Sequence, residues 1–201
     1  VLLNRTSHTL KSKLIFLTIV SFFVFIADQV SKFMAVKHLT PAIDASMSIG
    51  TQISQFLSAR HPMGIQESTV WPGYFDFHYV ENPGAAWGLM HNVKESIRGP
   101  FFLMVSIIAS LMILYYYFSS PAYFKLRQWA LALIMGGALG NFFDRTRMQY
   151  VIDFISWHYQ DVYHWPTFNI ADSAISIGVV LLLIDSFVNP ETDKTLKFNR
   201  S

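Results

Sequence analysis

From 100 to 124 the chain runs 25 residues without a charged side chain. A helix crossing bilayer hydrocarbon needs about 20 predominantly apolar residues, so this run alone ties the chain to a membrane. Three further apolar runs accompany it. Residues 14–27 are uncharged, and the pattern continues past Asp28 to about Val36. Residues 128–143 are uncharged and hold Gly136, Gly137 and Gly140. Residues 168–188 are apolar apart from Asn169, Asp172 and Asp185. Each of these three reaches full length only with an Asp counted in. Ordinary spans avoid that, because an intramembrane carboxylate costs about 2.5–3.5 kcal/mol on insertion scales.

Composition agrees: 52% of residues are hydrophobic and 14% charged, where soluble domains carry about 25% charged residues. A net charge of +2 is too balanced for a nucleic-acid binder resting on phosphate neutralisation. The absence of Cys excludes disulfides, thiolate metal sites, thiol nucleophiles and a lipidated Cys on this chain. High apolar content without low-complexity tracts excludes disorder. The expected architecture is one membrane-embedded domain over residues 1–201. It is an all-α integral membrane protein with four transmembrane helices near 14–36, 100–118, 128–144 and 169–188. A small β-containing extracytoplasmic region is expected within 37–99 and 145–168.

A cleaved signal peptide is the alternative for the first run, since Arg5, Lys11 and Lys13 precede it. Ala27-Asp28-Gln29 offers no clear small-x-small cleavage site, which favours a retained helix. Eight of the 15 Lys and Arg residues lie at the N-terminus (Arg5, Lys11, Lys13), in the 119–127 link (Lys125, Arg127) and in the tail (Lys194, Lys197, Arg200). The positive-inside rule then puts both termini and the link in the cytoplasm. Trp71, Trp87, Trp157 and Trp165 fall at the outer face, with Trp129 and residues 115–117 at the inner edge, as aromatic belts would.

Orientation sets depth. At about 1.5 Å per residue, Asp28 sits about 21 Å beyond Leu14, Asp144 about 24 Å beyond Gln128, and Asp172 about 24 Å above Val188. Asp153 follows Asp144 by nine residues. Four carboxylates therefore converge near the outer face. Gly137, Asn141 and Asp144 share one helical stripe, and Asn169, Asp172 and Ser176 a second. Asp28 and Lys32 are i,i+4 neighbours able to pair. Gly136 and Gly140 form a small-xxx-small pair that admits another helix. Asp28 or Asp185 alone would read as an interfacial residue; the set together reads as a functional site. A proton or cation path would use similar residues, but these cluster at one depth rather than forming a relay. A scaffold would leave them unexplained.

Arg145 and Arg147 suit headgroup anchoring, and Arg145 directly follows the polar stripe. The histidines show no H-E-x-x-H or comparable ligand spacing, so no metal centre is expected. No Ser nucleophile has a convincing partner; Ser31 and Lys32 are merely adjacent. Residues 40–66 read as loop with room for one short helix. Residues 74–80 alternate aromatic and polar side chains as a strand does, and Glu81-Asn82-Pro83-Gly84 reads as a turn. Such a strand serves equally to hold an extended peptide or to cap the surface.

Five blocks in order carry a resemblance: Asp28-Gln29-Val30-Ser31-Lys32; Glu81-Asn82-Pro83-Gly84-Ala85-Ala86-Trp87; Gly136-Gly137-Ala138-Leu139-Gly140-Asn141-Phe142-Phe143-Asp144-Arg145; Val151-Ile152-Asp153-Phe154; and Phe168-Asn169-Ile170-Ala171-Asp172. With them the chain resembles the bacterial lipoprotein signal peptidases (signal peptidase II, or prolipoprotein signal peptidase). The resemblance implies an aspartic endopeptidase of the bacterial cytoplasmic (inner) membrane, its active site near the extracytoplasmic face. It would cleave on the N-terminal side of a diacylglyceryl-modified Cys and release the signal peptide from a prolipoprotein. The family pattern carries the catalytic dyad onto Asp153 and Asp172. It makes Asn141, Asp144, Arg145 and Asn169 the surrounding polar shell, and gives Asp28, Lys32 and Asn82 structural or substrate-contacting roles. It implies no cofactor; its partners would be diacylglyceryl prolipoproteins and membrane lipids, with globomycin-like peptides as inhibitors. Two features depart from the pattern. The stretch from Lys32 to Asn82 is long, marking an insertion within 40–71, and the chain opens on Val1, which points to a trimmed or alternative start.

Overall fold

The structure is a computed structural model and describes residues 2–58, 67–84, 93–160 and 162–189. Ala85, Ala86 and Trp87 of the second block, and Lys194, Lys197 and Arg200 of the tail, lie outside the described residues. The elements in order are α1 (Leu2–Leu39), α2 (Ile49–Ser58), β1 (Glu67–Trp71), β2 (Phe75–Asn82), α3 (Glu95–Ser119), α4 (Lys125–Met148), β3 (Val151–Tyr159), β4 (Tyr163–His164) and α5 (Ile170–Val188).

α1, α3 and α4 outrun their expected bounds, and in α1 and α4 the carboxylates that follow the apolar runs find a partner in Lys32. α1 continues unbroken through Asp28, whose charge meets Lys32 one turn later at 2.7 Å. α3 begins five residues before Pro100. α4 keeps winding past Asp144 to Met148 and stops where Gln149 turns left-handed at φ 66°. Three helical segments are long and apolar enough to cross a membrane: Leu10–Leu39, Ser96–Ser119 and Ile170–Val188. Large apolar side chains stand exposed along them, among them Phe23, Leu111 and Leu183. That is the outward face expected of a protein solvated by lipid.

α4 is the axle of the bundle, packing against α1, α3 and α5. Its uncharged centre spans only 16 residues, 128–143, between Lys125 and Arg127 at one end and Asp144 and Arg145 at the other. Small residues let its neighbours close in. A Cβ at Gly136 would lie 2.6 Å from the Val24 Cβ of α1, and one at Gly137 would strike the Ala171 carbonyl of α5.

At one end of the bundle sits a four-stranded sheet in the order β1-β2-β3-β4. β1 and β2 form a hairpin whose turn uses Gly73 at φ 81°, a conformation open to glycine. β2 and β3 pair antiparallel although α3 and α4 lie between them in sequence, so the sheet reaches across the bundle end. Beneath it a core joins Val36, Leu39, Phe56, Tyr79, Ile152 and Phe154. The short helix expected within 40–66 is α2. It is fastened by Phe56, which packs edge to face on Phe33 at 5.6 Å. The Arg147 guanidinium also lies 4.4 Å from the Phe56 ring centroid and donates to the Phe56 carbonyl at 2.6 Å. Arg147 thus clamps α2 instead of anchoring to headgroups.

At the opposite end, the Lys13 ammonium donates to the carbonyls of Tyr117 (2.7 Å), Phe118 (3.1 Å) and Ser120 (2.6 Å), at the C-terminus of α3. Tyr117, expected in an aromatic belt, is fully buried, and its hydroxyl donates to the Lys13 carbonyl at 2.8 Å. Arg127 and Asp185 close this end as a buried pair, with Nε–Oδ2 at 2.7 Å.

Candidate active site

The site begins with Lys32. Its ammonium is fully buried and meets Asp28 Oδ2 at 2.7 Å, Asp144 Oδ2 at 2.8 Å and the Asn141 carbonyl oxygen at 3.2 Å. A lysine has three N–H donors and no acceptor, so these contacts use all of it. Asp28 Oδ1 accepts the Ala171 amide at 3.0 Å, satisfying a first-turn N–H of α5 from another helix. Asp144 Oδ2 accepts the Ile152 amide of β3 at 3.3 Å. One buried cation therefore fastens α1, α4, β3 and α5 together.

That contact also dictates which way the asparagine amides face. With its oxygen turned to Lys32, Asn141 must present its NH2 elsewhere, and it donates to Asp172 Oδ1 at 2.7 Å. Asn169 caps α5: its side-chain oxygen accepts the Asp172 amide at 2.9 Å, while Asp172 Oδ2 accepts the Asn169 amide at 3.3 Å. This capping box leaves the Asn169 NH2 to donate to Asp153 Oδ1 at 2.7 Å. Asn169 is thus an N-cap, one residue before the helical stripe it was expected to join.

Asp153 is fixed from its other side by the sheet. The β2–β3 register sets Val80 opposite Asp153 and Asn82 opposite Val151, and Asn82 Nδ2 donates to Asp153 Oδ2 at 2.8 Å. The Asn82 oxygen accepts the Gly84 amide at 2.9 Å, so its orientation is also fixed. Gly84 stands at φ 100°, and a side chain there would collide with the Phe102 ring. Eight of the nine singled-out residues (Asp28, Lys32, Asn82, Asn141, Asp144, Asp153, Asn169 and Asp172) thus belong to one connected network.

Arg145 is the ninth. It lines the same cavity, donates to Ser106 Oγ at 3.3 Å, and lies 5.9 Å from the Phe102 ring centroid. Its buried Nε has no hydrogen-bond partner among the described residues. Sequence reasoning missed Gln29, which donates to Asp28 Oδ2 and Asp144 Oδ1, each at 3.1 Å. Gln29 sits next to Asp28 rather than three or four residues away, so helical spacing gave no sign of it.

Asp153 and Asp172 open into a cavity of about 740 Å³, walled also by Asn82, Arg145, Phe168 and Ile177. Burial pushes the Asp153 carboxyl up to about 7, with the negative charge of Asp172 adding to the rise; the amides of Asn82 and Asn169 pull the other way. A carboxyl raised in this way holds a proton near neutrality, as acid–base chemistry on a bound water requires. Among the described residues no three His, Asp or Glu side chains converge as metal ligands would.

Comparison with known proteins finds relatives over most of the chain. Residues 20–188 match the family described as Signal peptidase (SPase) II. A lipoprotein signal peptidase of Anaeromyxobacter sp. (strain Fw109-5) is 42% identical over 178 residues, covering 85% of this chain and 82% of that protein. One of Clostridium tetani (strain Massachusetts / E88) is 36% identical, covering 79% and 84%. A bacterial membrane enzyme solved in meso at 2.3 Å resolution superposes with a TM-score of 0.64 at 30% identity, over 88% of this chain and 90% of that one. By sequence over most of its length, and by fold, the chain belongs to the signal peptidase II family of peptidases.

Proposed function

We propose that this protein is an aspartic endopeptidase that removes the signal peptide from diacylglyceryl-modified prolipoproteins. It cuts on the N-terminal side of the lipidated Cys, using Asp153, Asp172 and a water. The observation that carries this reading is that both carboxylates line one cavity and each is oriented by its own asparagine amide, Asn169 for Asp153 and Asn141 for Asp172. The domain spans 1–201. α4 is the fourth crossing helix, shielded by its neighbours where its apolar run is short. Both ends of the chain face the cytoplasm, and the sheet and cavity face outward across the bacterial inner membrane.

Protonated Asp153 donates to the scissile carbonyl oxygen while Asp172 takes a proton from the attacking water, so that the C–O bond forms without a free oxyanion or hydroxide. Collapse of the resulting diol returns a proton to Asp153. Asp172 delivers its proton to the departing nitrogen as the C–N bond breaks. Both groups end as they began. Positioned transfer of this kind supplies about 10²–10⁴-fold. Arg145 aids by donating to a substrate carbonyl in the cavity. Substrate chemistry suits a site at the membrane boundary: signal peptide and acyl chains stay in lipid while the scissile bond meets water.

The test is a gel-shift assay with purified protein and a prolipoprotein with or without its diacylglyceryl group. Cleavage confined to the lipidated form supports the reading; equal cleavage of both forms, or of neither, overturns it.

A further inference from the structure

At the end of the bundle away from the sheet, a second cavity of about 90 Å³ lies between the start of the apolar part of α1 and the first turn of α4. Ser12, Lys13, Phe16, Lys125, Gln128 and Trp129 line it. We propose that it binds the phosphate of a membrane phospholipid headgroup.

Three features point to an anion. Gln128 is only 4% exposed, and its buried Nε2 has no hydrogen-bond partner among the described residues, so a donor stands there without an acceptor. α4 starts here with Phe124 as its N-cap and no side-chain capping bond, leaving the positive end of the helix uncovered. Lys13 and Lys125 supply full charges. The Lys13 protons are engaged by three carbonyls, so it contributes field, while exposed Lys125 is able to reach a ligand oxygen.

Size and position choose the ligand. A cavity of about 90 Å³ has room for one tetrahedral anion. The lining residues follow the ends of two apolar spans, Leu10 in α1 and Ser119 in α3, by two to ten positions. That is headgroup depth. Phe16 and Trp129 pack edge to face at 4.9 Å beside the cavity, and Trp129 is half exposed, as tryptophans at a lipid interface are. A lipid phosphate places its charge among the donors and its acyl chains along the exposed apolar helices; free phosphate gains only the first.

The test uses the delipidated full chain in maltoside detergent, titrated separately with dioleoylphosphatidylglycerol, dioleoylglycerol and inorganic phosphate and read by native mass spectrometry. Wild type should bind the phospholipid at least about tenfold more tightly than the phosphate-free lipid. Q128L should lose about tenfold of that affinity, from one charge-assisted hydrogen bond. K125Q, at an exposed position, should lose about fivefold. Circular dichroism checks the fold of each variant, and K125Q decides alone if Q128L does not fold. Equal binding of both lipids overturns the proposal, as does wild-type affinity in the folded variants. Inorganic phosphate binding as tightly as the phospholipid would make this a free-phosphate site and overturn the lipid assignment.

Discussion

α4 and α5 carry buried carboxylates at both ends of the bundle, and the two ends treat them oppositely. Far from the sheet, Asp185 meets Arg127 in a one-to-one pair. Beneath the sheet, Asp28 and Asp144 share Lys32, Asp153 and Asp172 are held by asparagine amides, and Arg145 lies nearby. A charge matched by its opposite is quiet, since burial is offset by attraction and geometry. Asp153, buried beside the negative charge of Asp172, keeps a proton within reach of neutral pH. The first arrangement joins helices; the second stores chemistry.

The sharpest way to break this comparison is to remove one ionisable side chain at a time from each end. D153N and D172N should each lower cleavage by about 10³-fold or more while the folded protein still accumulates. Near-normal cleavage in either would dissolve the dyad. The mirror experiment strips one partner from the quiet end. R127M leaves Asp185 buried without its counter-charge, and should cost about 3–5 kcal/mol of stability in a detergent unfolding titration. The surviving folded molecules should cleave at close to the wild-type rate.

Acidity should separate the ends next. Cleavage requires Asp153 protonated, so the rate should fall as pH rises through about 7. The stability sign is the same. A carboxyl raised in the folded state contributes stability that is fully present below its unfolded value near 4 and lost as pH climbs through about 7. D153N should flatten that loss, measured as melting temperature against pH, and D185N should leave its alkaline limb in place. The smallest expected effect is at Asn82, whose amide favours the ionised Asp153. N82A should slow cleavage by about tenfold or less and move the alkaline limb upward by about one pH unit or less.

How legible all this is in the sequence depends on how local each feature is. α3 declares itself through apolar length alone, and α1 and α5 do so once an Asp is counted in. Fixed rise per residue carries Asp28, Asp144 and Asp172 to one depth, and i,i+4 spacing pairs Asp28 with Lys32, as the 2.7 Å contact shows. β2 is visible because its aromatic and polar residues alternate. β3 is not, because Val151, Ile152, Asp153 and Phe154 are all buried and no period of two survives. The setting of Asp153 was therefore out of reach. It depends on a β2–β3 register across the intervening α3 and α4, and on Asn169 serving as a cap. The same limit hid Arg127 and Asp185, which are 58 residues apart. One read as a topology signal and the other as an interfacial residue until packing joined them. Residue types and motif order pointed to the dyad only through family resemblance.

The most direct test of the central claim, that Asp153 and Asp172 act as one coupled unit, is carboxyl-carbon NMR on protein labelled with ¹³C-aspartate, titrated from acid to alkaline pH. A carboxyl signal should titrate near 7 in wild type, disappear in D153N, move to lower pH in D172N as the neighbouring negative charge is lost, and stay in place in D185N. A signal near 7 that D172N leaves unmoved, or no aspartate titrating above about 5, would contradict the coupling.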